Sequence, residues 1–183
     1  MISQARQRLS DDHHAVNEVM KQLLRALENK DVETSYSRLD LLWARLAVHI
    51  RAEHLHLFPA ITSHATKSFD SVVPDLSEAE AVVENLRVDH DFFMRELAGA
   101  IGILRELRLR TAGDEPKLAG VEDVVRKIEK RLTVHNETEE NKIYLWSSTM
   151  LTESEQSELL SRINVELENR PSRFSEEAWA NSQ

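Results

Sequence analysis

Apolar residues recur every three or four positions through most of the chain, in runs separated by short polar breaks. The first run predicts a helix from about Ser3 to Glu28, with Leu9, His13, Val16, Met20, Leu23 and Leu27 along one face. It breaks at Asn29, Lys30 and Asp31, and Asp31 is a suitable N-cap for a second helix reaching about Ile61. That helix aligns Leu39, Leu42, Leu46, His49, Glu53 and Leu57. A loop from Ser63 to Leu76 contains Pro74, and Ser77 with Glu80 forms a capping box that opens the third helix. Its stripe is Val83, Leu86, His90, Phe93, Leu97, Ile101 and Leu104. Gly113 and Pro116 mark a stop and a restart. The fourth helix then runs to about Met150, carrying Val121, Val125, Ile128, Leu132, His135, Glu139 and Ile143. Thr152 with Glu155 caps a fifth helix to about Asn169, and Pro171 onward reads as a tail with a short helical turn near Trp179. The expected fold is all-α: an up-down-up-down four-helix bundle with an additional C-terminal helix, one domain over residues 1–170 and a tail over 171–183.

Composition agrees with helix and narrows the chemistry. The 183 residues are enough for one domain with a real core, and only 4 Gly and 4 Pro interrupt long stretches of helix formers. The net charge of −9 is spread rather than blocked, which repels phosphate backbones and argues against nucleic-acid binding. No run approaches the roughly 20 apolar residues of a membrane span, and the N-terminal residues lack the apolar core of a secretory signal. A cytosolic location without membrane association fits best. With no Cys, a metal bound by this chain takes nitrogen and oxygen donors.

The stripes themselves carry that chemistry. Four histidines (His13, His49, His90, His135) and two glutamates (Glu53, Glu139) fall on inward-facing positions. A single His on an apolar stripe is ordinarily a satisfied core residue. An unpaired buried carboxylate is costly, however, and no Lys or Arg stands on the stripe beside these. A divalent metal is the simplest compensation. His49 and Glu53 stand four apart, as do His135 and Glu139, so each pair stacks on one helix face and reaches the same ion or adjacent ions. Imidazole and carboxylate suit iron or manganese, with zinc and copper also permitted.

The pattern is also repeated. Asp12-His13 followed by His49-x-x-x-Glu53 parallels Asp89-His90 followed by His135-x-x-x-Glu139, and an apolar-aromatic pair follows each motif, Leu57-Phe58 and Ile143-Tyr144. Two hairpins related by a pseudo-two-fold axis would each supply half a site. Ferritin-type di-iron bundles use inward carboxylates and histidines in a similar way, but their Glu-x-x-His spacing is absent. The order His, His-x-x-x-Glu, His, His-x-x-x-Glu, with Phe58-Pro59 after the first motif, resembles hemerythrin-like proteins of the HHE cation-binding family, in their bacterial form, over roughly residues 5–150. The resemblance implies two non-haem iron ions, oxo- or hydroxo-bridged, held by His13, His49, Glu53, His90, His135 and Glu139. Oxygen-carrying hemerythrins have a second His where this chain has Met94, and an Asp at longer spacing where it has Glu139. The four-histidine set implies a more open, more symmetric site than a simple oxygen carrier's.

Other candidates are weaker. His14 neighbours Ser10, Asn17 and Lys21 on a solvated face. His56, three residues after Glu53, is either an extra ligand, a partner of a carboxylate or a helix-flank residue. His54 and Glu140 read as outer or surface groups, and His64 as a solvated loop residue. Tyr36, Trp43, Tyr144 and Trp146 are placed either to approach the site, where they would tune ligand hydrogen bonding or carry oxidising equivalents, or as plain core, and at helical spacing they read as core. The expected function is binding of a small diatomic ligand (O2 or NO) or peroxide for sensing, stress protection or peroxide removal, with NO- or peroxide-consuming activity as the enzymatic form. Iron storage, delivery or metal-centre repair is the alternative, and a metal-free helical interaction module is the third. The sequence leaves the oligomeric state open, although the fifth helix offers an extra amphipathic surface.

Overall fold

The computed structural model describes residues 4–65, 73–109 and 115–174, and its secondary structure is helical throughout. Helix α1 (Gln4–Glu28) ends where Lys30 takes a left-handed φ of 56° and Asp31 N–H returns to the Ala26 carbonyl, closing the exposed carbonyls of the last turn. Asp31 then caps α2 (Val32–Ala52), accepting from the Thr34 N–H at 3.0 Å. A π turn (Glu53–Leu57) joins α2 to α3 (Phe58–His64) without a break. Helix α4 (Leu76–Arg108) starts two residues earlier than the sequence suggests. Its cap is Asp75, which accepts from Glu78 N–H at 2.8 Å, because the same acid-capping spacing occurs there ahead of Ser77 and Glu80. Helix α5 (Glu115–Thr138) runs through a second π turn (Glu139–Ile143) into α6 (Tyr144–Met150). The Thr152–Glu155 capping box opens α7 (Glu153–Glu168) as expected. A short 3₁₀ turn covers Ser172–Phe174. The expected turn near Trp179 lies outside the described residues.

Helix α1 packs on α2, α2 on α4, α4 on α5, and α5 back on α1, so four stripes converge. The predicted stripe residues are buried except Ile101, which is only partly covered because α4 turns Ala100 inward instead. Two apolar clusters result. One holds Met20, Leu42, Leu97, Val125 and their neighbours. The other, at the opposite end, holds Leu9, Phe58, Leu86 and Tyr144 together with Leu159, Ile163 and Leu167 of α7. Helix α7 thus spends its apolar face, Leu159, Ile163 and Leu167, on α1 and α2 within the chain. Arg8 to Asn164 (3.1 Å) and Arg51 to Glu166 fasten it. The polar stripe residues form a layer between the two clusters. No helix among the described residues is long and apolar enough to cross a membrane.

Candidate metal centre

The six residues singled out by sequence meet in that layer, and all are at most 4% exposed. They form two overlapping groups able to hold a cation, His13, His49, Glu53, Glu139 and Glu53, His90, His135, Glu139. Both glutamates belong to both groups. Four Nε2 atoms converge: His13 on His49 at 3.2 Å, and His90 on His135 at 2.9 Å. The carboxylate oxygens interleave with them, His13 to Glu139 at 3.2 Å, His49 to Glu53 at 3.3 Å, His90 to Glu53 at 3.4 Å and His135 to Glu139 at 3.1 Å. Bonds of about 2.1 Å at right angles put neighbouring donors about 3 Å apart in an octahedral site. A cavity of about 10 Å³, roughly one water sphere, adjoins the four histidines, walled by Val16, Leu46, Ile50 and Phe93 among others.

Each ring is aimed from behind. His49 Nδ1 donates to Asp12 at 3.0 Å, His135 Nδ1 to Asp89 at 3.1 Å, and His13 Nδ1 to Glu140 at 3.0 Å. His90 Nδ1 instead meets His54 Nε2 at 2.9 Å. With the outer nitrogen committed, Nε2 is the inward donor atom in every case. Arg45 (3.6 Å from Asp12) and Arg131 (on Asp89) stand one turn before His49 and His135 and anchor the two aspartates. No Lys or Arg stands on the apolar stripe itself beside these residues. Arg45 and Arg131 lie off it and reach round to its outer edge, a placement that only the packed helices reveal.

The electrostatics are those of a site that gathers positive charge. Burial raises the Glu53 carboxyl, and the neighbouring Glu139 raises it further. Burial also opposes ionisation of Glu139, but His135 and His13 outweigh it and hold the carboxyl well below its usual range. Burial disfavours charge on His135 too, yet Glu139 and Asp89 lift it to about 10. His49 is likewise raised against burial, by Glu53 and Asp12. His90, buried and without a carboxylate behind it, falls to about 2. Protons therefore fill part of the site when nothing else does. They do so incompletely: Glu53 Oε2 and both oxygens of Glu139 are buried without a hydrogen bond. A buried acceptor left in that state costs about 1–3 kcal/mol, and more when it is charged. Nitrogen and oxygen donors in this number and spacing fit iron.

The remaining candidates divide. His14 is exposed. His56 points away, its Nε2 3.6 Å from Glu166 of α7, and it joins neither cation group. His64 is no solvated loop residue. It ends α3, bonded to the Ala60 carbonyl at 2.9 Å and to Glu155 at 3.1 Å. His54 and Glu140 stand behind His90 and His13 as outer groups. Tyr36 lies under Arg108 and Trp146 near Lys142, away from the centre. Tyr144, set aside as core on its helical spacing, is the aromatic residue that reaches the centre. Its hydroxyl is 3.0 Å from His13 Nε2 and donates to Glu53 at 3.2 Å. On an α-helix a residue five beyond Glu139 lies about 140° round the axis. The π turn, closed by Tyr144 N–H on the Glu139 carbonyl, brings it back toward the same face. The repeated apolar-aromatic pair after each motif was the available signal.

Fold and site together define a helical protein with a buried cation-binding centre of imidazole and carboxylate donors. The chain belongs to the hemerythrin HHE cation-binding domain family, whose model matches residues 4–146. Helix α7 lies beyond the matched segment. No curated protein and no solved structure matches the chain at a significant level.

Proposed function

We propose that the protein is a non-haem di-iron protein that binds O2, NO or peroxide, with His13, His49, Glu53, His90, His135 and Glu139 as ligands and both glutamates bridging the two ions. The observation that carries this is the set of buried carboxylate oxygens without hydrogen bonds, facing four convergent Nε2 atoms. Membership of the HHE family favours iron. The same reading takes the four long helices as alternating in direction, one domain to residue 170, working in the cytoplasm. Iron supplies the redox electrons and coordination positions that such small molecules use. The chain's own residues orient the imidazoles through Asp12, Asp89, Glu140 and His54, and exclude bulk water with two apolar layers. The small apolar cavity beside the histidines admits a diatomic molecule more readily than a larger substrate. A metal-free interaction module leaves these carboxylates only partly compensated, by the surrounding histidines, which is why we set it aside.

The test is iron quantification on protein purified without chelator, followed by anaerobic titration with O2, NO and peroxide. Two irons per chain are expected in the wild type, with proton release on loading, and loss of iron in Glu53→Ala. Retention of both ions in that variant refutes the ligand assignment. Full iron loading with no spectral response to any of the three molecules refutes the function.

A further inference from the structure

The two halves of the site are built alike but differ behind one histidine, His54 on His90 against Glu140 on His13, and at one aromatic position. Phe58 and Tyr144 occupy matching places, each five residues after its glutamate and each closing a π turn with its N–H. Phe58 stacks on His90 with ring centroids 5.9 Å apart and 10° between planes. Tyr144 stacks on His13 at 5.6 Å and 28°. The rings therefore hold equivalent positions, and the difference is a hydroxyl. Tyr144 is fully buried. The neighbours of its hydroxyl are His13 Nε2 and Glu53 Oε1, both members of the first cation group. At 3.0 and 3.2 Å, the phenol oxygen stands from them as the group's own donor atoms stand from one another.

Resting on the two-ion reading above, we propose that Tyr144 is a seventh protein ligand, binding through its phenol oxygen the cation held by His13 and His49, so that the two cation positions are chemically inequivalent. Once a cation takes the His13 Nε2 lone pair, that nitrogen is no longer a hydrogen-bond partner of the phenol. The oxygen is then left facing the cation's shell with Glu53 as its only other neighbour. A bound cation stabilises an oxygen anion as it does a thiolate. Ligation exchanges the phenol O–H bond for an oxygen–cation bond, and the proton leaves to solvent. The His13/His49 position then has five protein donors and the His90/His135 position four. In a six-coordinate pair, more of the coordination left for a small molecule falls at His90 and His135. Phe58 keeps that side apolar, and His54 stands there in place of the carboxylate behind His13.

The test uses ferric protein with its iron content measured. A phenolate bound to ferric iron gives a visible charge-transfer band with tyrosinate modes in resonance Raman spectra. The chain has only 2 Tyr, so the assignment is direct. Wild type and Tyr36→Phe are expected to show the band. Tyr144→Phe is expected to lose it while keeping two irons. Phe58→Tyr is expected to add a second contribution. An iron-loaded wild type without tyrosinate modes overturns the proposal, as does a band that survives in Tyr144→Phe or vanishes in Tyr36→Phe. If Tyr144→Phe fails to fold, the wild-type and Tyr36→Phe spectra decide alone. A wild type that binds no iron overturns the two-ion reading and this proposal together, whereas two irons without tyrosinate modes overturn only this one.

Discussion

Replacing Asp12 by Ala tests whether the residues behind the histidines set the affinity of the centre. Asp12 is buried, and its carboxylate accepts the Nδ1 proton of His49 at 3.0 Å, which turns Nε2 inward as the donor atom. Burial opposes its charge, but His49 and Arg45 hold it below the usual carboxylate range, so it stands behind the ring as an anion. Its removal does two things. It leaves a buried imidazole N–H without an acceptor, at about 1–3 kcal/mol. It also frees the ring to turn or change tautomer. Loss of such a partner typically lowers metal affinity about 10–100-fold, or about 1.4–2.8 kcal/mol. The matched change, Asp89→Ala, acts on His135. The Asp89 side chain is 21% exposed against 8% for Asp12, so water replaces it more readily and the effect falls at the lower end. Stepwise anaerobic ferrous titration against a competing chelator reads both constants, with circular dichroism to confirm the fold. One weakened iron and one near-normal iron are expected in each variant. Two irons of unchanged affinity in Asp12→Ala refute the orienting argument.

Two further predictions concern the docking of α7. Thr152→Ala removes the hydroxyl that accepts the Glu155 N–H, and is expected to cost about 1 kcal/mol in urea denaturation, with faster amide exchange in the first turns of α7. The pH dependence of the same contact has two sides. The Ala60 carbonyl and then Glu155 raise His64 above 6.5, so its contribution is complete below 6.5 and is lost as pH rises through the raised value. Hydrogen bonds from the Thr152 backbone and hydroxyl, and then from His64, lower Glu155 from 4.5 to about 2, so its contribution is complete above 4.5 and is lost as pH falls toward 2. Amide exchange of α7, corrected for intrinsic rates, is expected to be slowest between 4.5 and 6.5. In His64→Gln the alkaline side of that profile is expected to flatten, and an unchanged profile refutes the contact's role.

Much of this protein was legible in the pattern of its residues. Periodicity placed the ends of the long helices within about three residues, because each must bury one stripe and nothing else in the chain competes for it. The six ligand candidates stood out for the same reason, since histidine and glutamate on an apolar stripe demand compensation. His13 was separable from His14 because adjacent positions on a helix face different ways. The capping box at Thr152 was equally visible, whereas at α4 two overlapping capping patterns competed and the earlier won.

Only the tertiary structure decided the rest. Periodicity assumes a constant turn, and the π turns at Glu53 and Glu139 break it, which is why Tyr144 looked like core and proved to reach the centre. The outer partners of the histidines come from other helices, Asp12 to His49, Glu140 to His13 and His54 to His90, and no spacing within one helix reports them. The fate of α7 was a matter of packing too: its amphipathic face was plain in the sequence, but which surface it covers depended on where the bundle left apolar area exposed. Residue order determined which side chains face inward. What they meet there was set by the close approach of helices distant in sequence, and by one extra residue in each of two turns.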